Sequence, residues 1–149
     1  MTFEHTIVVG LDHSPAGIAA LRWATEEADQ QQTSVTVLRV LDPDLRSDLA
    51  LGRDLAAEQS ECHRATGSWV FEALEGTPHA SLRILTRIGS VEPELAAATD
   101  EARLLGVGQP QDPRLLDLPL RLARRSHCPV VCVDQSGHAS FVGRTHALA

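Results

Sequence analysis

Three positions in the sequence have the chemistry that a small-ligand site would use. Asp12 directly follows an apolar, β-branched run at 6–11, and its carboxylate could accept hydrogen bonds from a ribose or an adenine amine. Its structural alternative is to satisfy the unpaired backbone donors at the start of a following helix. Val40 and Gly108 lie at the ends of two later apolar runs. We predict that Asp12, Val40 and Gly108 lie together and contact the same ligand.

The elements that must position these residues alternate along the chain between strands and helices. Strands are predicted where short β-branched or alternating apolar runs occur, at 6–11, 34–41, 81–87, 103–108 and 129–134. Helices are predicted between them, at 16–30, 49–75 and 90–101. This alternation predicts an open, five-stranded parallel α/β sheet with helices on both faces. In such sheets, ligands bind beyond the carboxyl ends of the strands, where the three candidate residues fall.

Composition and charge narrow the function classes. The 149 residues are 43% hydrophobic and 22% charged, which suits one globular domain, predicted over 1–135 with a polar tail over 136–149. The formal net charge of -7 disfavours nucleic acid and anionic membrane surfaces as partners. No apolar run reaches the length of about 18 residues that a membrane span needs. The odd number of cysteines, with no signal peptide ahead of them, predicts reduced thiols in the cytoplasm.

Taken in order, several short motifs resemble the universal stress protein family. They are IVVGLDHSP at 7–15, AALRWA at 19–24, the strand at 35–43, Gly89-Ser90 at a helix start, and HCPVVCV at 127–133. The resemblance to this UspA-like family implies a Rossmann-like fold of the adenine nucleotide alpha hydrolase type. It also implies dimers joined through the last strand, and adenine-nucleotide binding in one branch of the family only.

The nucleotide-binding branch carries a glycine motif: Gly, two residues, Gly, nine residues, then Gly followed by Ser or Thr. Its glycines let backbone N–H groups approach phosphate closely. Gly108 fits the first position, but Gln111 replaces the second glycine. The final pair is replaced by residues 121–122 (Arg-Leu) or, counted back from the last strand, by 116–117 (Leu-Asp). Neither register restores the motif.

The segment that stands in place of this motif, 109–119, contains three prolines and no glycine. Each proline lacks the N–H donor that a phosphate cradle needs. Asp112 and Asp117 add negative charge near the expected phosphate position. Pro119 predicts a short helix capped by Asp117 in place of a long helix from Pro113. We therefore expect no bound cofactor, although an adenine nucleotide held by its adenosine end remains an alternative.

Two further clusters have a functional and a structural interpretation. A metal site is one interpretation of His127, Cys128, Cys132 and His138, but buried cysteines beside a strand more often act as small apolar residues. An anion site is one interpretation of Arg114, Arg121, Arg124 and Arg125, and a solvated helix face is the other. Ser14 is expected to cap the first helix, and the two tryptophans are expected to pack against the core.

The last predicted strand carries an apolar run, Val130, Val131 and Val133, at what the resemblance makes a sheet edge. An exposed edge of this kind favours pairing with a second copy, so we predict a homodimer through these residues. The alternative is an edge covered by the segment from Gln135 onward.

These observations favour a non-catalytic, dimeric stress-response protein that acts through an unidentified protein partner or a non-standard small ligand. One alternative is a sensor that binds ATP, ADP or cyclic AMP through Asp12 and Val40. A slow phosphohydrolase is the third possibility, and the weakest, because no residue set offers phosphate positioning or a metal-binding carboxylate pair.

Overall fold

The computed structural model describes residues 5–12, 14–42, 55–75 and 81–143. Its strands are β1 (Ile7–Gly10), β2 (Val35–Leu41), β3 (Leu82–Ile88), β4 (Leu104–Gly108), β5 (Val130–Val133) and β6 (Ala139–Phe141). Its helices are α1 (Pro15–Gln31), α2 (Leu55–Ala73), α3 (Val91–Ala98) and α4 (Leu118–Arg125), and a 3-10 turn spans Pro113–Leu115. No helix in these ranges is both long enough and apolar enough to cross a bilayer.

The six strands form one sheet in the order β3-β2-β1-β4-β5-β6. The first five run parallel, and β6 runs antiparallel to β5. Because β1 pairs with both β2 and β4, the chain order reverses at β1, and a crevice is expected beyond the carboxyl ends of these strands. The predicted α/β class is confirmed, but the sheet has a sixth strand that the sequence analysis did not predict.

The sheet separates two apolar layers. Ile7, Val9 and Val37 face the layer with α1 and α2, whereas Val8 and Leu105 face the layer with α3 and α4. This alternation follows from the period of two along a strand, and it explains why these runs are apolar on both faces. Burying each such side chain contributes about 1.5–3 kcal/mol, so the layers hold the strand ends in fixed positions.

Helix α1 begins and packs as its sequence predicts. The Ser14 side chain accepts a hydrogen bond from the backbone N–H of Gly17, and Pro15 occupies the first turn. Leu21, Thr25 and Ala28 are buried on one face of the helix. Trp23 packs against the same core and lies against Gly106, which agrees with the expected packing role of the tryptophans.

Two helices differ from their predicted lengths. Helix α3 ends at Ala98, short of the predicted residue 101, and the Thr99 hydroxyl at its end donates to the Ala96 carbonyl oxygen at 2.6 Å. Helix α2 ends at Ala73, close to the predicted residue 75, and buries Thr66, Val70 and Ala73. The predicted start of this helix, at 49–54, lies outside the described residues.

The prediction that β5 forms a free sheet edge was wrong. Strand β6 covers it, with Val131 opposite Phe141 and Val133 opposite Ala139. A tight turn makes this possible, because Asp134 Oδ1 accepts the N–H groups of residues 136 and 138 at 2.9 and 3.0 Å. Gly137 supplies a φ of +93° in the same turn. The sheet therefore continues beyond residue 135, into the segment that was interpreted as a tail.

Candidate ligand crevice

A cavity of about 280 Å³ opens at the carboxyl ends of β1, β2 and β4, where the strand order reverses. Asp12, Val40 and Gly108 all line it, so three residues from distant parts of the chain meet as the sequence predicted. Whether they bind a ligand stays a prediction. The cavity wall is mostly apolar, and its aliphatic members are Leu11, Leu38, Val40, Val91, Leu95, Val107, Leu115 and Leu118.

Asp12 is held by its neighbour Ser14. The Ser14 hydroxyl donates to Asp12 Oδ1 at 2.5 Å and accepts the N–H of Gly17 at 3.0 Å. Ser14 therefore satisfies the backbone N–H of Gly17 at the start of α1. The structural alternative had assigned this role to Asp12. Asp12 remains exposed and lines the cavity, where its carboxylate can accept further hydrogen bonds.

Gly108 has a packing role that does not depend on any ligand. A Cβ at this position would lie 2.6 Å from the backbone carbon of Ala16 and 2.7 Å from the backbone nitrogen of Gly17. Only a residue without a side chain lets the end of β4 pass so close to the start of α1. A glycine here is therefore expected even in a chain that binds no phosphate.

Two polar residues, Arg39 and Asp42, also line the crevice wall; residues 40–42 were expected there from the sequence, and Arg39 was not. Arg39 donates from Nη1 to the Leu11 carbonyl oxygen at 3.2 Å. Asp42 Oδ2 accepts the N–H of Val91 at 3.3 Å, at the start of α3. Both residues tie the end of β2 to a neighbouring element. The position of Arg39 near the end of a buried parallel strand was the sequence signal that could have identified it.

The side of the crevice where the glycine motif would present backbone donors is occupied by other groups. Pro110, Asp112 and Leu115 line the cavity there. Asp112 caps the 3-10 turn through the N–H of Arg114 at 2.9 Å and pairs with the Arg114 guanidinium at 2.8 Å. These hydrogen bonds from Arg114 lower the pKa of the Asp112 carboxyl, so it stays ionised at neutral pH. A carboxylate that is already paired with an arginine thus lies where phosphate was expected.

Asp117 neither caps α4 through its side chain nor lines the crevice, although the sequence predicted both a cap and a charge near the phosphate position. It occupies the cap position of α4 as predicted, but its side chain makes no capping hydrogen bond and pairs with Arg121. It is also absent from the cavity lining, so the charge expected from it near a phosphate is not there. The prediction of a short helix with Pro119 in its first turn is confirmed.

Three of the four arginines in the cluster, Arg114, Arg121 and Arg125, are paired with carboxylates. Arg121 Nε and Arg125 Nη1 donate to the two oxygens of Glu92, at 2.6 and 2.8 Å, and Arg114 pairs with Asp112. Hydrogen bonds from Arg121, and then from Arg125, lower the pKa of Glu92. These pairs join α3 to α4 and argue against an anion site formed by Arg114, Arg121, Arg124 and Arg125.

The proposed metal ligands are engaged in separate local contacts. His127 Nδ1 lies 2.8 Å from Asp100 Oδ1 on the surface, and Cys128 is buried in a turn with Ser126. Burial raises the pKa of the Cys132 thiol, which disfavours the thiolate that metals bind. Across the ranges that the structure describes, no group of three or more His, Cys, Asp or Glu side chains is arranged to hold a metal ion.

A parallel sheet in the order β3-β2-β1-β4-β5, with a crevice where that order reverses, defines a Rossmann-like α/β domain. The model of the universal stress protein family matches residues 4–134. The chain therefore belongs to the universal stress protein family. Strand β6 lies beyond the matched residues.

Two relatives come from Mycobacterium tuberculosis (strain ATCC 25618 / H37Rv). Universal stress protein Rv2624c is 30% identical over 132 residues, which cover 84% of this chain and 46% of the relative. Universal stress protein Rv2623 is 28% identical over 141 residues, covering 85% and 46%. The chain thus spans about half the length of the curated relatives it matches.

Solved structures of universal stress proteins share the fold. UspA from Lactobacillus plantarum is 21% identical, with a TM-score of 0.62 over 87% of this chain and 97% of its own. A universal stress protein in complex with cAMP is 23% identical, with a TM-score of 0.62 over 90% and 99%. One from Archaeoglobus fulgidus in complex with dAMP is 20% identical, with a TM-score of 0.63 over 88% and 98%.

Proposed function

We propose that this chain is a non-catalytic universal stress protein that acts in a stress response as a homodimer. It works through protein contacts or through a small ligand that lacks the phosphates of ATP. The observation that carries this proposal is a crevice with an apolar wall whose phosphate side is occupied by Pro110, Asp112 and Leu115. We place its action in the cytoplasm, because its three cysteines are free thiols.

The charges of the crevice support a ligand without phosphates. Asp12, Asp42 and Asp112 line it together with one cation, Arg39, which is bonded to the Leu11 carbonyl. Two like charges 4 Å apart repel by about 4 kcal/mol at an effective dielectric constant of about 20. A triphosphate placed here would meet such repulsion, which Arg114 offsets at Asp112 only, without the backbone donors of a glycine loop.

The same geometry supports a non-catalytic role. Phosphoryl transfer requires cations or backbone donors around the transferred group. The rim of this crevice offers mainly carboxylates, and Arg114 is already paired with Asp112. We therefore propose that the crevice does not hydrolyse nucleotides.

A second candidate function is an adenine-nucleotide sensor. It is favoured by the structural neighbours solved with cAMP and dAMP, and by the cavity that remains beside Asp12 and Val40. In this candidate, the apolar wall would receive the adenine, and Asp12 would accept hydrogen bonds from the ribose or the adenine amine. The ligand would then be held by its adenosine end.

Released nucleotide separates the two candidates. The purified chain is denatured, and its supernatant is examined by chromatography and by absorbance near 260 nm. We expect no adenine nucleotide, and no thermal stabilisation by ATP, ADP or cyclic AMP. A ligand at 100 times its Kd would add about 2.7 kcal/mol of stability, which such a scan detects readily. Stoichiometric adenine nucleotide would overturn the leading proposal.

A pair of variants then localises any nucleotide that does bind. Asp12→Asn removes the carboxylate charge at the crevice, whereas Glu26→Gln makes the same chemical change on an exposed face of α1. The sensor candidate expects weaker binding only for Asp12→Asn. Equal affinities in both variants would place the nucleotide elsewhere on the protein.

A further inference from the structure

Strand β2 carries an arginine at a position where its period of two predicts an apolar side chain. Val35 and Val37 are buried in the layer with α1 and α2, whereas Leu38 is buried in the opposite layer. Arg39 therefore points into the layer with α1 and α2. An ionised side chain on the inner face of a strand loses part of its hydration, so it requires compensating contacts.

The protein itself supplies few of those contacts. Arg39 Nη1 donates to the Leu11 carbonyl oxygen at 3.2 Å. Within the ranges that the structure describes, the Arg39 guanidinium forms no ion pair with a carboxylate. Since a guanidinium carries five N–H donors, most of the hydrogen-bonding capacity of Arg39 is available to a ligand.

A cavity of about 290 Å³ lies between Arg39 and helix α2. The helix buries only three residues, Thr66, Val70 and Ala73, and none of them belongs to its first three turns. The side chains that α2 contributes to the cavity recur every three or four positions and so form one face of the helix. They are Glu58, Glu61, Cys62, Ala65, Thr66 and Trp69.

The first turns of α2 are held to the sheet from a neighbouring face of the helix. Gln59 Nε2 donates to the Thr86 carbonyl oxygen at 2.5 Å, and His63 Nδ1 lies 3.0 Å from Thr86 Oγ1. These contacts fix the helix on β3 without filling the space next to Arg39. The walls of the cavity are therefore held in place by the fold.

We propose that this cavity, the α2 cavity, binds a free basic α-amino acid of the lysine or arginine class. The Arg39 guanidinium would receive the carboxylate of the amino acid through two parallel hydrogen bonds, which its planar fork favours. Glu58 and Glu61 would accept hydrogen bonds from the α-ammonium group and from the cationic side chain. One guanidinium and two carboxylates thus match the three charges of such a ligand.

The remaining walls and the size of the α2 cavity suit the same ligand. Ala65 and Trp69 supply apolar surface for the methylene chain of the amino acid, and an indole ring also attracts cations. The volume lies at the lower end of the range of about 300–1,000 Å³ that is usual for small-molecule sites. Of the described residues that line this cavity, Arg39 alone also lines the crevice, so the proposal does not depend on what the crevice binds.

Isothermal titration of the full chain tests the ligand class. We expect saturable binding of one L-lysine or L-arginine per chain, and no saturable heat with L-glutamate. Cadaverine lacks the carboxylate and Nα-acetyl-L-lysine lacks the α-ammonium group, so each should bind at least about 10-fold more weakly than L-lysine. Absence of saturable heat with both basic amino acids at millimolar concentration would overturn the proposal. Equal affinities for L-lysine and Nα-acetyl-L-lysine would overturn the assignment of a free amino acid, because a peptide ending in lysine has the same groups.

Two pairs of variants test the position of the ligand. Arg39→Gln should raise the Kd for L-lysine at least about 10-fold and leave the Kd for cadaverine unchanged, whereas Arg64→Gln, on the exposed side of α2, should change neither. Glu61→Gln should raise the Kd for L-lysine about threefold, and Glu72→Gln on the same helix should not. Glu61 is exposed, so its replacement does not threaten the fold. Unchanged lysine affinity in both Arg39→Gln and Glu61→Gln would place the amino acid elsewhere and overturn the proposed site.

Discussion

The crevice and the outer strand β6 lie at different places in the molecule. Their residues differ in how far they are used in packing. In the crevice, the residues that look functional have packing duties: Gly108 makes room for α1, and Asp12 and Ser14 form the turn into that helix. On β6, the Phe141 side chain is 42% exposed and has no comparable packing role. Crevice residues that have packing roles are therefore weak evidence for a ligand.

The largest expected effect is a difference in the free energy of unfolding between variants of the two neighbouring strands β5 and β6. Val131→Asp should lower the free energy of unfolding by at least about 4 kcal/mol, because Val131 is 1% exposed and the new carboxylate would be buried without a partner. Phe141→Glu should cost less than about 1 kcal/mol in the monomer, because this position is on the surface. Denaturant titrations at low protein concentration measure both. Similar costs would show that β6 is not an outer strand.

Gly108→Ala tests the packing role in the crevice. The added Cβ would lie 2.6 Å from backbone that cannot move independently, and we expect a loss of about 3 kcal/mol. Gly67→Ala in α2 is the control, because its added Cβ meets nothing closer than 3.9 Å and alanine favours a helix by about 1 kcal/mol. Urea unfolding of both variants gives the comparison. If Gly108→Ala were as stable as wild type, the glycine would need a ligand-based explanation.

Ser14→Ala tests the turn beside Asp12. Loss of the hydroxyl leaves the Gly17 N–H without its cap, which typically costs about 1 kcal/mol. The same variant frees Asp12 Oδ1 from the hydroxyl that now donates to it. Thermal unfolding reports the stability. An unchanged midpoint would mean that Asp12 or water takes over the cap, and the structural alternative for Asp12 would regain support.

The smallest expected effect concerns the ion pairs between α3 and α4. The pKa of Glu92 lies below its ordinary value of 4.5 in the folded state, so its pairs stabilise the fold above that value. That stability is lost as the pH falls through the lowered folded-state pKa. Because the Glu92 side chain keeps 22% of its exposure and its partners are more exposed, we expect less than about 1 kcal/mol. Glu92→Gln should flatten this acid-side slope in denaturant titrations.

Much of the fold could be predicted from the sequence because its signals are local. The β-branched runs and the Ser14-Pro15 start determine elements within a few residues. The shared cavity of Asp12, Val40 and Gly108 was also predictable, since parallel strands bring their carboxyl ends to one edge. The role of Gly108 was not, because close approach of β4 to α1 is a tertiary contact that no sequence spacing reports.

The other differences have equally specific causes. Strand β6 was overlooked because its three residues follow a polar turn, and the short Ala-Ser-Phe alternation is too brief for periodicity to identify. Asp117 was placed at the crevice because it lies in the segment that replaces the glycine motif. In the folded chain, Arg121 one helical turn later holds its carboxylate.

We infer that packing contacts account for the crevice of this chain, whose phosphate side has no glycine loop. Isothermal titration of the full chain with ATP in magnesium-containing buffer tests it most directly. We predict no saturable heat up to millimolar ATP, because Asp112 and the prolines at 110 and 113 replace the donors of a phosphate cradle. Saturable binding of one ATP per chain with micromolar affinity would contradict the claim.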